Sequence, residues 1–157
     1  MKKIQLTHGR VALVSDKDYP RVRRHKWIFS RLPKHGHGYA IRLEPGRKGR
    51  KIRMHRELLG AKKDQEVDHK NGNTLDNRRS NIRLCTRGEN GCNLGLRKNN
   101  TSGYKGVSRN RKMWVATIHP KRKAIYLGLF KTKIAAARAY DRAAKKYFGR
   151  FARLNDV

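Results

Sequence analysis

Acidic side chains are scarce in this chain: 11 Asp and Glu stand against 41 Lys and Arg, a formal net charge of +30. That excess goes far beyond what solubility needs and implies a polyanionic partner, nucleic acid first among them. Cysteine is nearly missing. Cys85 and Cys92 are not in C-x-x-C spacing and have no second pair, so no structural zinc is expected and the two read as reduced thiols. Long apolar runs are missing as well. There is no signal-peptide pattern and no stretch near the length of a membrane span, so the expectation is a cytoplasmic protein that is neither secreted nor membrane-bound. A mean hydropathy of −0.94 with so much charge also allows disorder, but several well-patterned apolar segments argue for a folded chain.

The charge is uneven. Residues 1–60 carry 17 basic and 4 acidic side chains, residues 61–96 carry 7 and 5, and residues 97–157 carry 17 and 2. Two basic flanks bracket a nearly neutral centre. A metal site must keep its acids, whereas segments that grip a phosphate backbone shed them.

The centre holds the densest chemistry. Val67-Asp68-His69-Lys70-Asn71-Gly72-Asn73 is followed by Asp76-Asn77-Arg78-Arg79-Ser80-Asn81-Ile82-Arg83-Leu84 and then Glu89-Asn90. An acid and a histidine sit side by side before an Asn-Gly turn, a second polar loop and a short apolar-alternating run. Thr86-Arg87-Gly88-Glu89 has capping-box spacing, so a helix is expected to begin near Arg87. The order is strand, loop, strand, helix. Neighbours on a regular strand point to opposite faces. Asp68 and His69 therefore share a site only if the strand ends or bends there, or if what they act on lies between them.

This order resembles the ββα-metal site of HNH endonucleases, in the subgroup of phage and intron-encoded homing enzymes. The resemblance implies that Asp68 ligates one divalent cation, that His69 is the general base on water, and that a helix asparagine completes the site. Asn90 matches best, with Asn93 next, and Asn81 would brace the loop. Mg²⁺ is the expected ion, with Mn²⁺ as the second candidate. A hard cation takes few protein oxygens, keeps several waters and neutralises charge on phosphate and leaving group. An imidazole with its pKa near working pH can take a proton from water.

Before this motif, Ile4–Thr7 and Val11–Val14 read as a hairpin about His8-Gly9, and Ser15–Asp18 offers helix-start chemistry that Pro20 limits. Trp27–Phe29, Tyr39–Leu43 and Ile52–Met54 read as short strands. His35 and His37 read as exposed turn residues, and Pro45–Arg50 as a basic loop. His55–Gly60 reads as a short helix ending at its glycine. Leu6 to Val14, Trp27, Tyr39 to Arg42 and Met54-His55-Arg56 resemble the N-terminal part of some HNH homing proteins. His55 is a supporting candidate for the site. Arg56, with Arg78 and Arg79, is a candidate DNA contact.

Arg97–Gly103 is polar, basic and ends in Gly, the natural boundary. Beyond it come three strand-like runs, Tyr104–Arg109, Trp114–His119 and Ala124–Gly128, and an Ala-rich helix capped by Thr132 and stopped at Gly149. The runs S-G-Y-K-G-V, W-x-A-x-I, Y-L-G-x-F-x-T and A-A-x-A-Y-D-x-A-A, with Phe151 to Asn155, resemble the plant APETALA2 or ethylene-response-factor DNA-binding domain. In that family the sheet lies in the major groove with the helix behind. Strand alternation turns Trp114, Ala116 and Ile118 toward the helix. It turns Val115, Thr117 and His119 outward, with Lys105, Ser108 and Tyr126 on neighbouring strands. Arg109, Arg111, Lys112, Lys121, Arg122 and Lys123 lie in turns and are expected on phosphates.

The fold class expected is α+β: a β-rich supporting region (1–54), the ββα-metal nuclease core (55–96), a basic linker (97–102), and a three-stranded antiparallel sheet packed on one helix (103–157). The expected partner is double-stranded DNA, bound by a monomer or a DNA-induced dimer, in a bacterial host or phage-infected cell. One motif per chain makes nicking the natural outcome. The competing expectations are a DNA-binding regulator with a dead nuclease motif and a general RNA-binding basic protein. The latter would need an RNA-stacking motif that is not recognisable here.

Overall fold

The computed structural model describes residues 1–31, 38–46 and 49–157. His35, His37, residues 47 and 48 of the basic loop, and the side chain of Arg122 lie outside the described residues. The chain divides into two compact units, Met1–Arg87 and Gly88–Val157. The class is mixed α and β, built from small antiparallel sheets.

The first unit opens on a hairpin of β1 (Lys2–Gln5) and β2 (Val11–Val14), and Ser15 then leads into a 3₁₀ turn over Asp16–Asp18. The short α1 (Tyr19–Val22) follows with Pro20 in its first turn, where a missing N–H costs nothing. A second sheet pairs β3 (Ile28–Arg31), β4 (Gly38–Leu43) and β5 (Lys51–Arg53) in that order. Next comes α2 (Met54–Leu59), which Gly60 ends at φ +61°, the left-handed cap the sequence foretold. β6 (Glu66–His69) and β7 (Ile82–Cys85) form the last pair, with Asp68 opposite Arg83 and His69 opposite Ile82. These elements share one core, in which Val14, Val22, Trp27, Met54, Leu58, Val67 and Ile82 are buried together. The indole of Trp27 is satisfied by the Val22 carbonyl at 2.8 Å, as a buried N–H requires.

The loop between β6 and β7 is the longest connection around the motif, and the N-terminal hairpin holds it. Leu13 N–H donates to the Leu75 carbonyl and the Leu13 carbonyl accepts from Asn77 N–H, each at 2.8 Å, a parallel bridge off the open edge of β2. Arg79 N–H donates to Ser15 Oγ at 2.9 Å, and its guanidinium grips both oxygens of buried Asp18. Residues 13–18 thus clamp residues 75–79.

The second unit begins within α3 (Arg87–Cys92). Asn100 and Ser102 then fold the chain through side-chain turns: Asn100 Oδ1 accepts from Gly103 N–H at 2.7 Å, and buried Ser102 donates to the Val107 carbonyl at 2.8 Å. β8 consequently starts at Val107 (Val107–Asn110) rather than at Tyr104, because Gly103 and Gly106 take φ of +79° and +73°. β9 (Met113–Ile118) is the central strand, and β10 (Ile125–Phe130) pairs with it through a bulge between Tyr126 and Gly128. α4 (Lys133–Phe148) packs on the sheet. Thr132 caps it by accepting from Ala135 N–H, and Gly149 stops it. Ala136, Ala137, Ala139, Ala143 and Ala144 are buried at the interface, so small side chains bring helix and sheet together. Among the described residues no helix is long and apolar enough to cross a membrane.

Candidate active site

Asp68 and His69 occupy the last two positions of β6, and both are buried. The strand ends at His69. Its carbonyl accepts from Gly72 N–H at 2.8 Å, and Lys70 N–H crosses to the Asn81 carbonyl at 2.9 Å. Asn81 then joins two turns: its Nδ2 donates to the Asp76 carbonyl at 2.8 Å and its Oδ1 accepts from Asn71 N–H at 3.1 Å.

Around the His69 imidazole the fold gathers three groups from separate elements. Asn77, wholly buried, brings Oδ1 to 3.4 Å from Nε2. The amide orientation is set at its other end, where Nδ2 donates to the Leu75 carbonyl at 3.1 Å. An amide oxygen only accepts, so Nε2 carries the proton and the basic lone pair resides on Nδ1. His55, from α2, meets the His69 ring edge-on at 5.0 Å between centroids. Tyr39, from β4, lies 4.9 Å from the His55 ring and 6.3 Å from that of His69. Burial pushes the pKa of His69 down, against the opposing pull of Asn77, Asp68 and Asp76, which favours the neutral form that can accept a proton. Burial, then the charges of His69, Arg53 and Arg56, push His55 down to about 2. Its Nδ1 is buried without a hydrogen-bond partner among the described residues.

Asp68 is held from across the hairpin. Arg83 donates to its Oδ2 through Nε at 2.8 Å and Nη2 at 2.5 Å, and both side chains are largely buried. A buried carboxylate held from one side supplies an oxygen donor of the kind a hard cation takes. Among the described residues no cluster of three or more His, Cys, Asp or Glu is placed to hold a metal. A cation here would therefore draw most of its ligands from water and substrate oxygen. Asn90 lies on α3, in the second unit. Asn93 follows in the turn, where its N–H donates to the Asn90 carbonyl at 3.2 Å.

Several residues read from the sequence as DNA-facing donate to the protein itself. Arg56 donates to the carbonyls of Gln65 and Lys62, each at 2.6 Å, bracing the loop between α2 and β6. Arg78 grips both oxygens of Asp76, and Arg79 grips those of Asp18. Lys105, half-buried, sends its ammonium to the carbonyls of Cys92 at 2.6 Å and Leu94 at 2.8 Å, closing the C-terminal end of α3. Arg109 stacks over Trp114 at 4.8 Å and donates to the Arg111 carbonyl. Ser108, Arg111, Lys112, His119, Lys123 and Tyr126 are exposed, and Thr117 is half-exposed.

A different set of cations lines an open cleft of about 970 Å³ on the first unit, among them Arg31, Arg50, Lys51, Arg53 and Lys63. Tyr39 is in its wall, with Arg53 stacked on the ring at 5.1 Å, so the cleft borders the ring that abuts His55 and His69. Sequence reasoning gave no role to Asn77, Arg83 or Tyr39. Only the hairpin register puts Arg83 opposite Asp68, and only packing puts Tyr39 beside the histidines.

Asp76 makes the site acid-sensitive. Hydrogen bonds from the Arg78 side chain, ahead of those from Arg78 N–H and Asn71, hold its carboxyl below the ordinary value of 3.8 despite burial. A depressed carboxylate contributes stability above its unfolded pKa and loses it as pH falls through the folded one. The urea midpoint of the first unit is expected to drop between pH 7 and about pH 3. Asp76→Asn should flatten part of that drop; an equal drop in the variant would remove Asp76 as a cause.

Comparison with known proteins gives the arrangement its family. Residues 59–92 match the HNH endonuclease family model. Over 155 residues, 95% of this chain and 76% of the other, the chain is 28% identical to an uncharacterised HNH endonuclease of Acanthamoeba polyphaga mimivirus. It is 43% identical over 54 residues to protein 3.8 of Escherichia phage T7, covering 33% of this chain and 45% of that one. It is 45% identical over 62 residues to an AP2-like ethylene-responsive transcription factor of Arabidopsis thaliana, covering 38% of this chain and 13% of the plant protein. With a buried Asp-His pair ending a strand, a hairpin partner and a following helix in the matched segment, residues 59–92 form an HNH endonuclease domain, and the chain carries a nuclease domain of that type.

Proposed function

We propose that this nuclease hydrolyses a phosphodiester bond of double-stranded DNA at a site chosen by its C-terminal unit, nicking one strand per active site. The observation that carries the proposal is His69: a buried imidazole at the end of a strand, beside Asp68, with Asn77 on Nε2 and burial favouring the neutral ring.

In this reading His69 takes the proton from the attacking water at Nδ1 while Asn77 holds the ring's orientation. Asp68, fixed by Arg83, supplies a carboxylate oxygen to the cation, and Asn90 is assigned the amide oxygen by the family resemblance alone. HNH nucleases generally use a divalent cation, and Mg²⁺ bound there supplies positive charge against the phosphate and the departing 3′ oxygen. The family resemblance implies 5′-phosphate and 3′-hydroxyl products. His55 and Tyr39 pack against the imidazole and help fix its position. The cationic cleft beside Tyr39 is suited to the sugar–phosphate backbone, since it offers charge without base contacts. The exposed turn cations Arg111, Lys112 and Lys123 are suited to the same task on the second unit.

The test is a cleavage assay on supercoiled and linear duplex DNA with Mg²⁺, with Mn²⁺ and with EDTA. Nicked circles that appear only with a divalent ion are expected, and binding should weaken steeply with salt. Tight duplex binding with no strand cut under any metal would leave a DNA-binding regulator instead.

A further inference from the structure

We infer that the outward face of the C-terminal sheet reads thymine through its C5 methyl group in the major groove. This rests on the proposal above that the second unit binds duplex DNA, and it names what that unit reads.

The register sorts the faces without ambiguity. Trp114, Ala116 and Ile118 of β9 enter the cores beneath α4, joined from β10 by Ile125, Leu127 and Phe130. The alternate positions face away. Ser108, Val115 and Leu129 form one cross-strand row, and Thr117 with Tyr126 forms the next. The bulge at Leu127 puts both Tyr126 and Leu129 outward, 64% and 45% exposed. Two large apolar side chains, a valine and two hydroxyls thus make up the centre of this face.

No Arg or Lys stands in those two rows. Arg109, next to Ser108 in the chain, is the register partner of Trp114, stacks on that ring and is tied to the Arg111 carbonyl. The bidentate guanine contact that an arginine offers is therefore not supplied from these two rows. Around its ends the turns carry exposed Arg111, Lys112, Lys121 and Lys123, and residues 97–157 hold 17 cations against 2 acids. A basic rim around an apolar centre selects a polyanion with apolar groups on its inner surface, and duplex DNA is that occupant. On the base edges of the major groove the apolar group is the thymine methyl. Val115, Leu129 and the Tyr126 ring can cover methyls, while Ser108 and Thr117 can bond either partner of a T·A pair.

The full-length chain, held in EDTA so that nothing is cut, would be used to enrich bound duplexes from a random-sequence pool. The tightest duplex would then be remade with deoxyuridine in place of thymidine, which deletes only the methyls. An enriched core containing T·A pairs is expected. The uracil duplex should bind about tenfold more weakly, on the basis of roughly fourfold per buried methyl. Leu129→Ser, an exposed change that spares the core, should narrow the difference between the two duplexes by about fourfold, the share of one buried methyl. Equal binding of thymine and uracil duplexes by the unaltered chain, or enrichment of a core made only of G·C pairs, overturns the methyl reading while leaving duplex binding intact. No duplex binding at low salt would sink the underlying proposal as well.

Discussion

Replacing His69 by alanine is expected to lower the rate of DNA cleavage by about 10²–10⁴-fold, the contribution of a positioned general base, with duplex affinity unchanged within about twofold. The reason for the split is location. His69 is buried at the end of β6 and offers no charge to a backbone, its burial holding the ring toward the neutral form. The cations that would grip DNA lie in the cleft and turns. What is lost is the Nδ1 lone pair that the Asn77 contact with Nε2 leaves as the base. The alanine also empties space against His55 and Tyr39, so folding must be checked by circular dichroism. His69→Gln keeps more of the volume and an amide, without a comparably basic nitrogen, and should be nearly as slow. Single-turnover nicking at saturating protein reads the chemical step separately from binding. Cleavage by His69→Ala within about threefold of the unaltered chain would show that another group removes the proton.

Gly106→Ala is expected to destabilise the C-terminal unit by about 3 kcal/mol or more, the largest stability effect foreseen from a single methyl here. Gly106 sits at φ +73°, and a Cβ there would come within 2.0 and 2.3 Å of the Tyr140 ring and 2.8 Å of the Thr117 carbonyl. Neither neighbour can yield easily. Tyr140 is buried in α4 beside Ile118 and Ala144, and the Thr117 N–H is bonded to the Gly106 carbonyl at 2.8 Å. Loss on this scale should lower the melting temperature of a unit this size by roughly 10–20 °C. Gly103→Ala separates the two causes, because Gly103 has φ +79° with nothing within 4 Å of the added carbon. It should cost only the left-handed strain, roughly 1–2 kcal/mol. If the two variants melt together, the close approach of Tyr140 is not what demands glycine at 106. Because the proposed reading face belongs to this sheet, Gly106→Ala should also abolish duplex selectivity before it affects the first unit.

Much of both units could be read along the chain, for reasons that are local. Gly60 and Gly149 stop helices at positive φ, where a side chain adds strain, Thr132 caps one, and the T-x-x-E run opens α3 where expected. Alternation in β9 sorted inward Trp114, Ala116 and Ile118 from outward Val115 and Thr117, since a strand's period of two is a property of the backbone. The early start given to β8 failed because Gly103 and Gly106, with Asn100 and Ser102, make turns whose bonds reach several residues ahead.

By itself, then, the sequence determined the strand–loop–strand–helix order, the Asp68-His69 pair, the basic flanks and the need for a polyanionic partner, all of which follow from spacing and charge. The tertiary structure alone decided which cations have work inside the protein: Arg56, Arg78, Arg79, Arg83, Lys105 and Arg109 look alike on paper, yet each meets a particular carboxylate, carbonyl or ring. It also decided that Asn77 and His55 border the imidazole of His69. The contacts around His69 join residues from different elements, and a clamp from β2 and its following turn holds the loop that carries Asn77. Their partners are set by packing and register, which no local pattern encodes.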